Sequence, residues 1–203
     1  MAAYSSMRPY YRFAYNVVGF ELMFHRPRIE GRENVPSGGC LIVSNHVSYM
    51  DPTTVGWAVA REIFYLGRKS LFKPPFWNWF LPMCNVLPVD RDASDIRGLR
   101  GIIKKLQTGH SVLVFPEGTR TEDGQLQSAE PGAGLLAMKA GVRVLPTRVF
   151  GTFETLSRGA KRYSLHPMRV VVGKPYWPTI PPGGKTDYQA IADEMMAKIA
   201  ELK

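Results

Sequence analysis

The apolar positions of this chain fall into two rhythms. Short runs rich in β-branched residues occupy residues 40–43, 63–66, 86–89, 111–115, 142–150 and 168–172, and a briefer one residues 28–31. Runs of that length and composition, bounded by Gly, Pro and polar residues, predict strands. Between them the spacing turns helical. Ile96, Leu99, Ile102, Ile103 and Leu106 define one helix, with Ser94 placed to cap its start and Gly109 to end it. Residues 132–140 predict another, and Ile191, Met195 and Ile199 line one face of a last helix. That helix follows a linker, Pro181-Pro182-Gly183-Gly184, and a capping box of Thr186 with Gln189. Strand and helix in alternation predict an α/β fold, a mixed, largely parallel central sheet with helices on both faces. Pro88 and Pro146 mark their strands as edges or bulges. No internal repeat is present.

Two aromatic stretches stand outside this alternation. From Arg8 to Phe24 the chain is apolar and aromatic, broken by Arg8, Arg12 and Glu21, which predicts an amphipathic helix. Residues 1–26 are therefore read as an N-terminal helix and 27–203 as the main domain. Such a helix either lies in a membrane interface or packs against the domain, and the sequence leaves both open. The second stretch, residues 71–81, carries Phe72, Phe76, Trp77, Trp79 and Phe80. The expectation is that it enters the core. Its Lys73 keeps open a membrane-interface belt or an acyl-chain groove.

Composition narrows the partners. The chain has 203 residues, with 26 Lys+Arg against 17 Asp+Glu, a formal net charge of +9. That surplus favours anionic surfaces, carriers or substrates. Nucleic acid is excluded, because the basic residues are scattered singly and no reader motif is present. Cys40 and Cys84 lie in apolar surroundings without metal-ligand spacing, so both are expected as buried, reduced thiols. No apolar run reaches the about 20 residues that cross a bilayer. No signal peptide is apparent, so the expected location is the cytoplasmic side of a membrane, as a peripheral protein.

The candidate chemistry begins just past the strand at residues 40–43, in Ser44-Asn45-His46-Val47-Ser48-Tyr49-Met50-Asp51-Pro52. Asp51 followed by Pro52 predicts a helix start with Asp51 as N-cap. A five-residue step on a continuous helix turns through about 140° and would separate His46 from Asp51. A bent loop instead lets the carboxylate fold back onto the imidazole and fix its tautomer. The other ring nitrogen is then free to take a proton, histidine ordinarily titrating at about 6.5. Another buried-strand pattern, residues 111–115, empties into Pro116-Glu117-Gly118-Thr119-Arg120. Two such strand ends predict one shared rim, where ligands of open α/β sheets collect.

These residues resemble the glycerolipid acyltransferases typified by 1-acylglycerol-3-phosphate acyltransferase. Asn45, His46 and Asp51 match the family's first motif, Asn-His followed by four residues and Asp; residues 115–120 match its third, Phe-Pro-Glu-Gly-Thr-Arg, throughout. Val89-Asp90-Arg91 looks like the second motif and Val144-Leu145-Pro146 like the fourth, in the right order within residues 27–173. The resemblance implies transfer of a fatty acyl group from acyl-CoA or acyl-carrier-protein thioester to the free hydroxyl of a lysophospholipid, 1-acylglycerol-3-phosphate first. It implies His46 as general base oriented by Asp51, with Asn45, Arg91, Glu117, Gly118, Thr119 and Arg120 around the substrate. Arg91 and Arg120 would hold its phosphate. No cofactor or metal is implied. The expected partners are the lysolipid, the thioester, an anionic membrane surface and, where it is the donor, acyl-carrier protein. Backbone amides near Asp51 are candidates for the oxyanion, and the absence of a Gly-x-Ser-x-Gly elbow disfavours a serine nucleophile.

Two departures from the family pattern qualify the acceptor. Asn85 stands where a glycine is common, and Ala129-Glu130-Pro131-Gly132 replaces a Phe-Lys-x-Gly stretch whose lysine adds charge near the phosphate. Glu130 would oppose a phosphate unless it points away. Alternatives are acylation of another lysolipid, such as a lysophospholipid in remodelling or a phosphate-free aminolipid, and a non-catalytic lipid-binding protein.

Overall fold

The computed structural model describes residues 6–90, 96–179 and 187–203. Among them the strands are β1 Arg28–Glu30, β2 Leu41–Ser44, β3 Ile63–Arg68, β4 Val86–Val89, β5 Ser111–Val114, β6 Val144–Phe150 and β7 Arg169–Val172. The helices are α1 Pro9–Met23, α2 Asp51–Val59, α3 Pro75–Met83, α4 Ile96–Gln107, α5 Pro131–Ala140, α6 Thr152–Leu156 and α7 Tyr188–Glu201. The strands form one sheet in the order β1-β7-β6-β2-β5-β3-β4. Every neighbouring pair is parallel except β6 with β7. The mixed, largely parallel α/β sheet read from the sequence is the one the chain forms.

Side-chain alternation along the strands divides the core in two. Leu41, Val43, Val112, Val114 and Val144 pack with residues of α4, α5 and α7 on one face. Cys40, Ile42, Ile63, Leu113 and Leu145 pack with Val55, Ala58 and Val59 of α2 on the other. Strands buried on both faces favour apolar side chains on both, which is why β2 and β5 read as apolar runs, interrupted only by Ser44 at the end of one and Ser111 at the start of the other. Cys40 is buried as expected, but Cys84 is only half-buried; both thiols are free.

Edges and turns account for several departures from the expectations. β4 is an edge strand with Pro88 exposed, as its proline suggests. β6 is not an edge, since it lies between β2 and β7. Pro146 fits there because the β7 ladder ends at Thr147 opposite Val172: Pro146 O accepts from Gly173 N, and pairing resumes only at the isolated bridge of Val144 with Tyr176. The missing amide falls in that gap. Asn85 has a φ of 60°, a left-handed conformation in which Asn substitutes for Gly at little cost. Its side chain binds Arg8, Glu62 and the carbonyl of Ile63, tying the start of α1 to β3. Ser94, the linker and Thr186 lie outside the described residues. The cap of α7 is Asp187, whose side chain accepts from the amides of Gln189 and Ala190, while the Gln189 side chain donates to Ala129 O and Asp193 instead of closing a capping box.

The two aromatic stretches end up at the surface. Tyr11 and Leu22 of α1 are buried, and a Cβ on Gly19 would lie 2.4 Å from the Trp57 indole of α2, so this helix packs closely on the domain. Its other side leaves Phe13, Val17, Phe20, Met23 and Phe24 exposed. No residue of α3 is buried; Phe76, Trp77 and Trp79 are 59%, 45% and 63% exposed, and Leu71 before them 52%. The expected core placement is overturned because α3 packs mainly on the edge strand β4 and the turn at Lys69–Phe72, where no second layer of the described residues covers it. No helix among the described residues is long and apolar enough to cross a membrane.

The close approach of α5 to α7 supplies a test of the packing. A Cβ on Gly134 would stand 2.0 Å from the carbonyl oxygen of Tyr188, whereas one on Gly132, in the same helix, meets nothing within 4 Å. Gly134→Ala is expected to destabilise the fold by about 2 kcal/mol, the ordinary cost of overpacking. Gly132→Ala should be neutral or stabilising by up to about 1 kcal/mol through helix propensity. Denaturant midpoints of the two variants check the pair.

Candidate functional site

Three parallel strands, β2, β5 and β3, end side by side, and β6 runs parallel to β2 on its other flank. The loops leaving their carboxyl ends carry His46, the turn from Pro116 to Arg120, Arg68 and Thr152. The rim predicted from two strands is thus built from four.

After β2 the chain bends through residues 45–50 and enters α2 at Asp51. The N-cap of α2 is Met50, without a side-chain cap bond, so Asp51 does not cap the helix as predicted. Its carboxylate turns backwards: Oδ2 accepts from His46 Nδ1 at 2.9 Å and from the amides of Val47 and Ser48, each at 2.7 Å. Oδ1 accepts from the Thr152 hydroxyl at 2.7 Å. Asp51 is 0% exposed, so these donors stand in for the water it has lost. An acceptor-only carboxylate makes Nδ1 the protonated nitrogen of neutral His46, leaving the lone pair on Nε2. Nε2 has no hydrogen-bond partner among the described residues, and the His46 side chain is 14% exposed. The ring stacks on Phe115, centroids 3.9 Å apart and planes 13° apart, which fixes its tilt.

Glu117 is turned inward. It is 3% exposed; Oε1 accepts from the amide of His46 at 2.8 Å and Oε2 from that of Gln127 at 3.1 Å. With Thr121 N donating to His46 O, these bonds lock the loop after β5 to the loop after β2. Burial pushes the Glu117 carboxyl up to about 7, opposed by its two amide donors and aided by the charge of Asp51. Asn45 is likewise turned inward: its side-chain amide donates to Val149 O at 3.1 Å and accepts from Val149 N at 2.8 Å, pinning the end of β2 to β6. The expected substrate contacts of Asn45 and Glu117 are corrected accordingly, since their polar atoms are spent on backbone within the fold. The oxyanion expectation changes too. The amides of Val47 and Ser48 bind Asp51, that of Tyr49 binds Leu156 O and that of Met50 binds Ser48 Oγ.

Gly118, Thr119 and Arg120 remain at the surface of the rim. Gly118 is exposed with φ +67°, closing the turn with its amide on Phe115 O. The Arg120 guanidinium lies 3.7 Å from the centre of the Tyr49 ring, a cation–π contact that holds it over the His46 loop. Partial burial, with the charges of Arg68 and Arg158 nearby, lowers its pKa from the usual arginine value, while Tyr49 and Asp51 oppose the fall. Arg68 went unremarked in the sequence. Its signal was its place at the carboxyl end of a predicted strand. Arg91 lies outside the described residues. Glu130 is exposed, and its Cγ would touch a Cβ placed on Gly118 at 3.1 Å, so it lies against the turn rather than far from it. Among the described residues no group of three or more His, Cys, Asp and Glu could hold a metal ion.

The fold matches the crystal structure of the 1-acyl-sn-glycerophosphate (LPA) acyltransferase PlsC from Thermotoga maritima with a TM-score of 0.76, over 98% of this chain and 84% of that one, at 24% identity. At that identity the likeness concerns the fold. The sequence is 33% identical over 183 residues to the chloroplastic 1-acyl-sn-glycerol-3-phosphate acyltransferase BAT2 of Brassica napus, covering 88% of this chain and 51% of the relative. It is 34% identical over 183 residues to the chloroplastic LPAT1 of Arabidopsis thaliana, which carries the same activity name, covering 88% and 49%. The chain thus spans about half the length of these two relatives. Residues 26–149, which contain the His46–Asp51 pair and the Phe115 to Arg120 turn, match the family model described as Acyltransferase. The chain belongs to the acyltransferase family.

Proposed function

We propose that this chain transfers a fatty acyl group from a thioester to the free hydroxyl of a lysophospholipid, 1-acylglycerol-3-phosphate first, giving phosphatidic acid. The observation that carries the reading is His46 held through Nδ1 by a fully buried carboxylate, with Nε2 unpaired on a rim that also bears Arg120 and Arg68. The names of the relatives support the acceptor. In this reading Nε2 takes the proton of the lysolipid hydroxyl as its oxygen attacks the thioester carbonyl, a contribution of about 10²–10⁴-fold. Collapse of the tetrahedral intermediate breaks the carbon–sulfur bond, and the imidazolium returns the proton to the departing thiolate. Asp51 holds the tautomer and offsets the imidazolium charge in between. The guanidinium of Arg120, with that of Arg68, takes the acceptor phosphate, a fork matched to two oxygens. The thioester, of coenzyme A or a carrier protein, is a substrate and no cofactor is needed.

A second reading rests on Glu130. A carboxylate beside Gly118 disfavours a phosphomonoester and suits an acceptor whose headgroup is less negative or carries an amine. An acceptor panel with both donor types, read as released thiol, decides between them. Turnover confined to 1-acylglycerol-3-phosphate supports the first reading; preference for an amine-bearing lysolipid supports the second, and thiol release from no acceptor defeats both. His46→Ala should lower kcat at least about 100-fold while lysolipid binding stays within about twofold.

The exposed apolar faces of α1 and α3, with the net charge of +9, support peripheral attachment to the cytoplasmic side of an anionic membrane. Replacing Phe13 and Phe20 together by Glu should reduce partition onto anionic vesicles at least about tenfold, with thermal stability unchanged. Equal co-sedimentation of the double variant removes α1 from the attachment.

Glu117 gives the fold a distinctive pH response. Its folded carboxyl holds the proton up to about 7, against an ordinary 4.5 in the unfolded chain. Its stabilising contribution is therefore complete below pH 4.5 and is lost as pH rises through about 7. The melting temperature of the parent protein minus that of Glu117→Gln should fall by several degrees across that window, and a constant difference would refute the buried, raised carboxyl.

A further inference from the structure

Thr152 lies outside every motif that the sequence singles out. Yet it is 0% exposed and its hydroxyl reaches Asp51 from 101 residues away. Resting on the reading of His46 as the base, we infer that Thr152 is a positioning residue, whose hydroxyl satisfies the second oxygen of the Asp51 carboxylate and anchors the His46–Asp51 pair to the chain after β6, and thereby holds the aim of His46.

The three donors on Oδ2 all come from the loop of Asp51 itself, at His46, Val47 and Ser48. Donors that all belong to that loop can shift together with Asp51, and they leave the other carboxylate oxygen, buried as the residue is, without a donor of its own. The bond on Oδ1 supplies that donor and ties the carboxylate to a separate element of the fold, and Thr152 is its source among the described residues. The backbone is built to deliver it. β6 ends at Phe150, and Gly151 follows with φ +81°, where a Cβ would stand 2.0 Å from the carbonyl oxygen of Pro167. Only glycine passes there, and the chain emerges from it directly at Thr152. The far end of α6 is fastened to the same loop: Leu156 O accepts from Ser48 Oγ at 2.7 Å and from Tyr49 N at 3.1 Å. Thr155, also 0% exposed, donates to Gly151 O at 2.9 Å and closes the turn on itself. A short helix clamped at both ends therefore backs the catalytic loop.

Without the hydroxyl, Oδ1 has no donor in a place that water does not reach, and the anion is less well stabilised. The pair then holds a proton more tightly, as a His46 imidazolium drawn to a carboxylate with one donor fewer. That moves the acid limb of the rate profile upward. The other ionisable groups at the site, Glu117 and Arg120 after β5, Arg68 on β3, Tyr49 on the loop and Arg158 after α6, are identical in every variant compared.

The test uses Thr152→Val, which removes the hydroxyl and keeps the shape, and Thr152→Ser, which keeps the hydroxyl. Thr152→Ala replaces the valine variant should that not fold. His46 is followed by NMR through its ring proton and carbon shifts across pH, alongside kcat and KM for the lysolipid. Expected for the valine variant are a His46 pH profile displaced upward from that of the parent, kcat lowered about tenfold and KM within about twofold, all recovered by serine. A midpoint and kcat like those of the parent, with only the melting temperature lowered, would reduce Thr152 to a packing residue and overturn the inference. Should the parent transfer no acyl group to any lysolipid, the reaction assignment fails, and the His46 midpoint alone still decides what Thr152 does.

Discussion

A carboxylate withdrawn completely from water has to be held by donors or it will not remain where it is. Asp51 meets that condition with four, from His46, Val47, Ser48 and Thr152. Desolvating such a group costs several kcal/mol. The donors offset it, and the site at the first turn of α2 adds about 0.3–1 kcal/mol from the helix dipole. The geometry of the loop follows. To bring its own amides onto Asp51, the chain has to curl between residues 46 and 51, and the curl turns His46 toward the rim with one ring nitrogen already spoken for.

The sheet makes that local solution useful. Parallel strands put all their carboxyl ends on one side, so loops far apart in sequence become neighbours without any long-range design beyond strand order. The loop after β5 contributes Phe115 beneath the imidazole, Glu117 beneath the backbone of His46 and Arg120 above Tyr49. The loop after β6 contributes α6. Each of these contacts removes one freedom from His46 or Asp51, and the imidazole is left with a single unpaired atom on an otherwise committed framework.

Burial and periodicity made most of this legible in the sequence. The strands, the helix carrying Ile102 and Leu106, and the face formed by Ile191, Met195 and Ile199 were readable because each signal is local and repeats. The meeting of His46 with Asp51 was readable because only a bend could unite them. What resisted reading was direction. Asn45 and Glu117 are polar residues in motifs, which sequence reasoning sends toward a substrate, yet both are turned into the fold to satisfy backbone amides and carbonyls. Pro146 looked like an edge signal, and the gap between a ladder and a bridge that accommodates it is a tertiary fact. Thr152 sits in a helix of 5 residues, too short for any periodicity to announce. The aromatic run was misplaced because its content suggests a core, whereas burial depends on what lies opposite, and among the described residues α3 packs mainly on the edge strand and the turn before it.

That last misplacement bears on what the rim can receive. The chain leaves the carboxyl end of β3 at Arg68, turns at Lys69–Phe72 and begins α3 at Pro75. Within a dozen residues it passes from a guanidinium that adds to the field at Arg120 to exposed Leu71, Phe76, Trp77 and Trp79. A surface that changes so abruptly from cationic to apolar is poorly matched to a fully soluble metabolite, which would leave the apolar part wet, and equally to a plain hydrocarbon, which would strand the arginines. In the function proposed above, it would suit a molecule with an anionic head and an aliphatic tail. On that proposal the exposed aromatics would have a use without cover from the protein, since burying them would remove the surface offered to the tail.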